Sequence, residues 1–391
     1  MSKSLPEDPL IRSLVSAARS AQISRRGMLL GTAGTIGAAS ALSLTACAPS
    51  GDSIVWANWA AYLDEDEEGN YPTLDRFEDE SGMRVSYQID VDDNNTFYAK
   101  VKDQLALGQD IGADTVCLTD WMVGRLIRFG YVQELDKSGI PNSKNLLPSL
   151  QDPGFDPGRT FSLPWQGGFA GLCWNKELYP KGLKNVSDLW APELKGRVGV
   201  LSEMRDTIGL ILAEQGVDIS SDFTADQYEA AIDIFREQVE SGQIRNIKGN
   251  SYLEDLKNED TIAAIVWSGD VTVINAEAGD KWEFFIPETG GTLWNDNFVI
   301  PIGTKKQKSV EKLIDYYYEP AVAAEVAAWV NYITPVVGAQ AEAEKIDPAL
   351  AENQLIFPNE ETLATVKVFR ALSADEEQSF GDLFQSVLLG A

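Results

Sequence analysis

At 391 residues, 44% hydrophobic and 9% aromatic, the chain is longer than one core usually serves, so two domains or one domain built as two lobes is expected. Its formal net charge of -28, spread along the whole chain, argues against nucleic acid and is compatible with cationic ligands. There is no histidine, which excludes every histidine-dependent triad and zinc site but leaves carboxylate or lysine chemistry open. Of the three cysteines, Cys47, Cys117 and Cys173, no two form a CxxC. Cys117 and Cys173 fall in apolar runs, where a buried free thiol is the usual state.

The first 46 residues carry Lys3, Arg12, Arg19, Arg25 and Arg26 against Glu7 and Asp8. Arg25-Arg26 follows a long polar start and precedes a Gly/Ala-rich apolar run ending at Leu44-Thr45-Ala46-Cys47. That run is too short and glycine-rich for a membrane span and reads as an export signal of the twin-arginine type. The small residues ahead of Cys47 resemble a bacterial lipobox, so residues 1–46 are expected to be removed and Cys47 lipidated. The mature chain is then extracytoplasmic and tethered to the membrane.

From residue 53 short apolar strands alternate with amphipathic helices, the pattern of an α/β architecture with largely parallel sheets. Strands are expected at 54–57, 85–89 and 114–118, each followed by a helix, at 72–81, 96–107 and 120–129. Residues 136–160 read as loop, and 161–168, FSLPWQGG, as a first crossover leading into a strand at 170–174. A second set follows, with strands at 198–201, 262–267 and 283–286 and helices at 206–215, 225–240 and 251–257. Helices at 309–318 and 321–329 lead to NYITP from Asn331, and amphipathic helices fill the remainder. The acidic run 64–68 reads as a solvated loop, because clustered like charges resist packing.

Residues 290–301, GGTLWNDNFVIP, draw most attention. Two glycines break the preceding element, Trp294-Asn295-Asp296 looks exposed, and 298–301 begins a buried strand. Trp294 and Asp296, two apart, would share one face of an extended strand. A ring face beside a carboxylate suits an organic cation. The plainer reading is a core tryptophan beside a solvated aspartate.

Four stretches together resemble the substrate-binding proteins of polyamine (spermidine/putrescine) ABC transporters: Asn58-Trp59-Ala60-Ala61-Tyr62, VSDLWAPELKGRVGV at 186–200, GGTLWNDNFVIP and NYITP. The resemblance runs over roughly 53–340 and weakens beyond. It implies a two-lobed periplasmic-binding-protein fold of the type II, Venus flytrap kind, with crossover strands. The expected lobes are 52–165 plus 295–335 and 166–294 plus 336–391. It also implies that aromatic residues sandwich the ligand's methylene chain while acids hold its amines.

Carried over on the matching motifs, the ligand-binding residues would be Trp59, Tyr62, Thr119, Trp121, Glu203, Asp206, Trp267, Trp294, Asp296 and Tyr332. The Glu203 and Asp206 alignment needs a one-residue gap. Ala60 and Ala61 stand where the family has a threonine and an acid, and near Phe369 and Arg370, where a glutamine is expected, the match is poor. The implied function is capture of spermidine or putrescine and delivery to a permease, by a monomer without a cofactor. Competing readings are the same clamp for an amino-acid derivative or a carbohydrate, and a carboxylate-based hydrolase, although no GxSxG motif appears. Trp59, Trp121 and Trp267 could instead cap the core, and Glu203, Arg205 and Asp206 could be a charged first turn facing water.

Overall fold

The computed structural model describes residues 53–390, so Arg25, Arg26, Cys47 and the whole export segment lie outside the described residues. Three strand-helix units open the chain: β1 (Ser53–Trp59) with helix Pro72–Ser81, β2 (Arg84–Val91) with helix Asn94–Ala106, and β3 (Thr115–Thr119) with helix Asp120–Arg128. After a run of 3₁₀ turns comes β4 (Ser162–Asn175), the longest strand at 14 residues. The next set comprises β5 (Val198–Leu201), β6 (Ile244–Lys248), β7 (Ala263–Trp267) and β8 (Trp282–Phe285), with helices Met204–Glu214, Ala225–Glu240, Tyr252–Lys257 and Ser268–Ala278 between them. β9 (Gly291–Val299), helices Gln307–Tyr317, Pro320–Val330, Ala339–Ile346, Pro348–Glu352 and Glu360–Ala364, the two-residue β10 (Val366–Lys367) and a final helix Ala374–Leu388 complete the described fold.

All ten strands form one sheet in the order β2-β1-β3-β9-β4-β7-β5-β6, with β10 added on β9 and β8 on β4. β1, β2 and β3 are parallel, as are β5, β6 and β7. Between these blocks β4 and β9 run antiparallel, from Ser162 opposite Val299 to Ala170 opposite Thr292. Pro164 lacks a ladder N–H, and the register shifts by a bulge between Pro164 and Gln166. The PWQGG stretch therefore stays in the strand although it reads as a breaker, because β9 pairs with it on either side of the bulge. Trp56, Trp165, Phe298 and Tyr317 pack behind this crossing at ring separations of 5.0 to 5.5 Å.

The strand and helix positions expected from the sequence agree with the fold to within a few residues over most of the chain. β6 and the helix Ser268–Ala278 escape that reading, as does the two-residue β10 in a stretch read as helical. The first is a five-residue edge strand with Arg245, Asn246 and Lys248 among its apolar positions. The second contains Gly269, Val271, Thr272, Val273 and Ile274, poor helix formers that tertiary packing overrides. Among the described residues no helix is long and apolar enough to cross a membrane. Cys117 and Cys173 are buried free thiols.

The acidic run at 64–68 is not uniformly solvated. Glu65, Glu67 and Glu68 are exposed, but Asp64 is buried and accepts the Thr73 N–H at 2.8 Å together with the Thr73 hydroxyl. It thereby satisfies a donor in the first turn of helix Pro72–Ser81, whose N-cap side chain makes no such bond. Pro72 presets that turn, and Gly82, left-handed at φ 70, ends the helix by donating its N–H to the Glu78 carbonyl. Replacing Asp64 by Ala should remove about 1–2 kcal/mol of stability and lower the melting temperature by a few degrees, whereas Glu67→Ala should leave it unchanged. Equal melting curves for the two variants in calorimetry would refute the anchoring role of Asp64.

Candidate ligand-binding site

Trp59, Thr119 and Trp267 are the last residues of β1, β3 and β7, and all three border one cavity of about 220 Å³. Ligand sites of open α/β sheets lie at the carboxyl ends of their strands, where the strand order changes. β9 crosses the same place, and Thr292, Trp294 and Asp296, alternate residues on one face of it, border the cavity too. Its neighbouring positions are locked: Asn297 donates to Asp120 at 2.7 Å and accepts from the buried Arg159 guanidinium at 2.8 Å. Arg159 in turn donates to the Leu150 carbonyl at 2.6 Å. This buried set fixes the strand that presents Asp296.

Five carboxylates border the cavity without an ion-pair partner among the described residues. Asp93 accepts from Thr96 and Ser202 and Asp120 from Asn295 and Asn297, and the other three lie between the aromatic walls. Asp296, 4% exposed, accepts from the Tyr62 hydroxyl at 3.0 Å and the Thr119 hydroxyl at 2.7 Å. Burial pushes its pKa up to about 7, against the lowering effect of those two bonds. Asp206, in the first turn of helix Met204–Glu214, accepts from the Trp267 indole at 2.8 Å and the Thr292 hydroxyl at 2.5 Å, and burial again raises its pKa. Asp270, in the first turn of helix Ser268–Ala278, accepts from Tyr252 at 2.6 Å, Tyr332 at 2.8 Å and Asn250 at 3.3 Å. Its pKa is pushed up to about 6, also by burial. Every donor is a neutral hydroxyl, indole or amide, so the negative charge is held in place but not neutralised.

Glu203 is different. Burial pushes its pKa up to about 8, and it sits 3.8 Å from the Arg205 guanidinium while accepting the Arg205 backbone N–H at 3.2 Å. Arg205 lies 3.9 Å over the Trp121 ring and 3.6 Å from Glu377, which also pairs with Arg125 and Arg128. The aromatic walls meet edge to face: Trp267 with Trp59 at 5.9 Å and with Trp294 at 6.3 Å, Tyr332 with Trp294 at 5.3 Å and with Tyr62 at 5.4 Å. The Trp59 indole donates to the Cys117 carbonyl at 3.0 Å, which fixes its ring.

All ten residues singled out from the sequence border this one cavity. Trp294-Asn295-Asp296 is not exposed as its polarity suggests: it lies within β9, and Asn295 and Asp296 are buried. Nor do Glu203, Arg205 and Asp206 face water, since all three are buried. Trp59 and Trp267 both cap the core and wall the cavity, so the two readings of these residues are not exclusive. Phe369 and Arg370, where the sequence match is poor, border the cavity, as does Ala60. Ala61, left-handed at φ 52, borders an adjoining acidic groove instead. Asp270 went unnoticed because the helix that carries it did; its signal was an acid three residues beyond the strand-end Trp267, in Trp-Ser-Gly-Asp.

The profile of the bacterial extracellular solute-binding protein family matches residues 73–353. The chain is 29% identical over 335 residues to the spermidine/putrescine-binding periplasmic protein of Salmonella typhimurium, covering 84% of this chain and 90% of that one. It is 26% identical over 357 residues to the putrescine/cadaverine-binding protein of Pseudomonas aeruginosa, covering 88% and 95%. A solved Listeria monocytogenes chain superposes with a TM-score of 0.75 at 25% identity, over 87% of this chain and all of that one. The spermidine/putrescine ABC transporter substrate-binding protein of Streptococcus pneumoniae shares the fold at a TM-score of 0.68. With its two parallel blocks joined by crossing strands, its cavity at their carboxyl ends and a family match over most of its length, this chain belongs to the bacterial extracellular solute-binding proteins.

Proposed function

We propose that this protein captures a linear polyamine in the cavity and hands it to an ABC permease, acting by binding and release rather than by catalysis. The observation that carries the reading is the set Asp206, Asp270 and Asp296: three buried carboxylates, each held by neutral donors, around an aromatic-walled space of about 220 Å³. A buried anion without a counter-charge is expensive, and a ligand ammonium supplies that charge with directed N–H bonds. The faces of Trp294 and Trp267 cover the alkyl segment and add a cation-π attraction of roughly 0.5 to 2 kcal/mol. Similarity to proteins named for spermidine, putrescine and cadaverine supports the same class of ligand.

The lobes would be 52–165 plus 295–335 and 166–294 plus 336–391, with β4 and β9 as the crossovers. Asp296 is then held by Tyr62 and Thr119 of the first lobe, while Asp206 and Asp270 belong to the second, so a diamine bridging them would draw the lobes together. A second reading, an amino-acid derivative, is favoured by one observation: Arg205 and Arg370 border the cavity with buried Nε–H groups that lack a partner among the described residues, and a carboxylate would suit them. Export by Arg25-Arg26 and lipidation at Cys47 would place the monomer outside the cytoplasm, tethered near its permease.

Calorimetry with putrescine, spermidine and a panel of amino acids tests the reading. Asp296→Asn should weaken polyamine binding at least tenfold, since truncating one partner of a desolvated charge pair costs about 2 to 5 kcal/mol. Trp294→Ala should weaken it with less salt dependence, because part of its contribution is apolar. Scattering should show the parent compacting on saturation. A bound ammonium lowers the pKa of Asp296 and Asp270 from about 7 and about 6, so binding expels protons. Affinity should therefore rise with pH through that window and fall below it, and a flat profile, or an unaffected Asp296→Asn variant, would overturn the assignment. For the anchor, Cys47→Ser should release a soluble mature protein, and its continued sedimentation with membranes would count against lipidation.

A further inference from the structure

Tyr332 is seated between two glycines. A Cβ built on Gly168 would lie 2.8 Å from Tyr332 Cδ1 and 2.6 Å from Trp294 Cζ2. One built on Gly269 would lie 2.8 Å from the opposite edge of the same ring, at Cε2 and Cζ. These separations are far inside van der Waals contact, so the ring occupies the space that side chains at both positions would need. Backbone pairing holds the arrangement: Gly168 faces Trp294 across the β4-β9 ladder, and Gly167 and Ile333, the chain neighbours of Gly168 and Tyr332, exchange N–H bonds of 2.8 and 2.7 Å. With its ring drawn back, Tyr332 reaches Asp270 at 2.8 Å and meets Trp294 and Tyr62 edge to face.

The geometry points to Gly168 as the residue that sets the width of the cavity for an unbranched methylene chain. The inference rests on the polyamine reading and names a residue that touches no ligand, acting through Trp294 and Tyr332. A methyl group at position 168 leaves both rings one accessible direction, the cavity of about 220 Å³ that they border. Asp206 and Asp296 keep their donors and Asp270 stays held by Tyr252 and Asn250, while the slot between the rings narrows. Gly269 completes the seat, but its Cβ would also lie 2.6 Å from the Val330 carbonyl, a backbone atom that cannot swing away, so Gly168 is the position to vary.

The experiment compares the parent, Gly168→Ala, Tyr332→Ala and the double variant, with putrescine and spermidine as probes. Gly168→Ala should bind about tenfold more weakly with an unchanged salt slope, because overpacking displaces the rings and not the acids. In the Tyr332→Ala background the same methyl should have little effect, since Trp294 can move into the vacated space. Near-UV circular dichroism should report the displaced Trp-Tyr pair in Gly168→Ala without any ligand. Parental affinity for Gly168→Ala, an equal loss in both backgrounds, or an unaltered near-UV spectrum would each overturn the inference. If Gly168→Ala does not fold, the double variant decides: it should match Tyr332→Ala, and a weaker double variant refutes the role. A parent that binds neither amine, with the ring displacement still visible, would sink the polyamine reading and leave the steric role of Gly168 standing.

Discussion

The antiparallel pairing of β4 with β9 is the constraint from which the rest follows. Each parallel block could be built from strand-helix units alone, but parallel sheets need crossovers, and two blocks need a shared strand pair to be one sheet. Here the shared pair passes through the middle, so the carboxyl ends of β1, β3 and β7 meet alternate side chains of β9 in one place. The bulge after Pro164 lets Trp165 pack behind the crossing on Trp56 and Phe298, while Gly168 leaves room for the Trp294 and Tyr332 rings. Strand register is therefore a functional quantity: a slip of one residue in β9 would turn Trp294 and Asp296 from the cavity to the opposite face.

Into that frame the chain places charge that folding alone would not favour. The folded-state pKa values of Asp296 and Asp270 lie near 7 and 6, above the ordinary carboxyl value, because burial disfavours the anion. Between the ordinary value and those limits the folded protein binds more protons than the unfolded chain, so raising the pH through that window lowers the stability of the ligand-free fold. Hydroxyls of Tyr62, Thr119, Tyr252 and Tyr332 orient the carboxylates without cancelling them. A site of this kind keeps its acids aimed and under-compensated, which is how a fixed anion discriminates in favour of a cation over a neutral solute of similar shape.

Much of this was legible in the residues, and for physical reasons. Period-two and helical patterning located most elements, since half-buried strands and amphipathic helices write their faces into the sequence. Trp294 and Asp296 could be paired because a strand's alternation is local. What the sequence hid was set by tertiary context. Asp64 reads as one more solvated acid until Thr73 and Tyr317 close over it. Ser268–Ala278 has no helical signature strong enough to announce itself, and Asp270 was lost with it. Arg159, buried and left-handed at φ 53, has no local signal that it will reach across to Asn297, 138 positions away.

The acids around the cavity also sort themselves by partner, which narrows what each can do. Glu203 already has a cation 3.8 Å away, and that cation, Arg205, already lies on the Trp121 ring. Glu377 holds Arg205 from the other side while pairing with Arg125 and Arg128, so this end of the cavity is internally compensated. An incoming ammonium there would have to displace an arginine that is stacked and braced, whereas at Asp206, Asp270 and Asp296 it displaces no charge at all. The absence of an acid at Ala61, on the lip of the adjoining groove, removes a carboxylate from the outside of the site, and Asp270 supplies one within. On the polyamine reading, cation capture would be concentrated on Asp206, Asp270 and Asp296, between the aromatic walls, with the internally paired Glu203 end as a boundary.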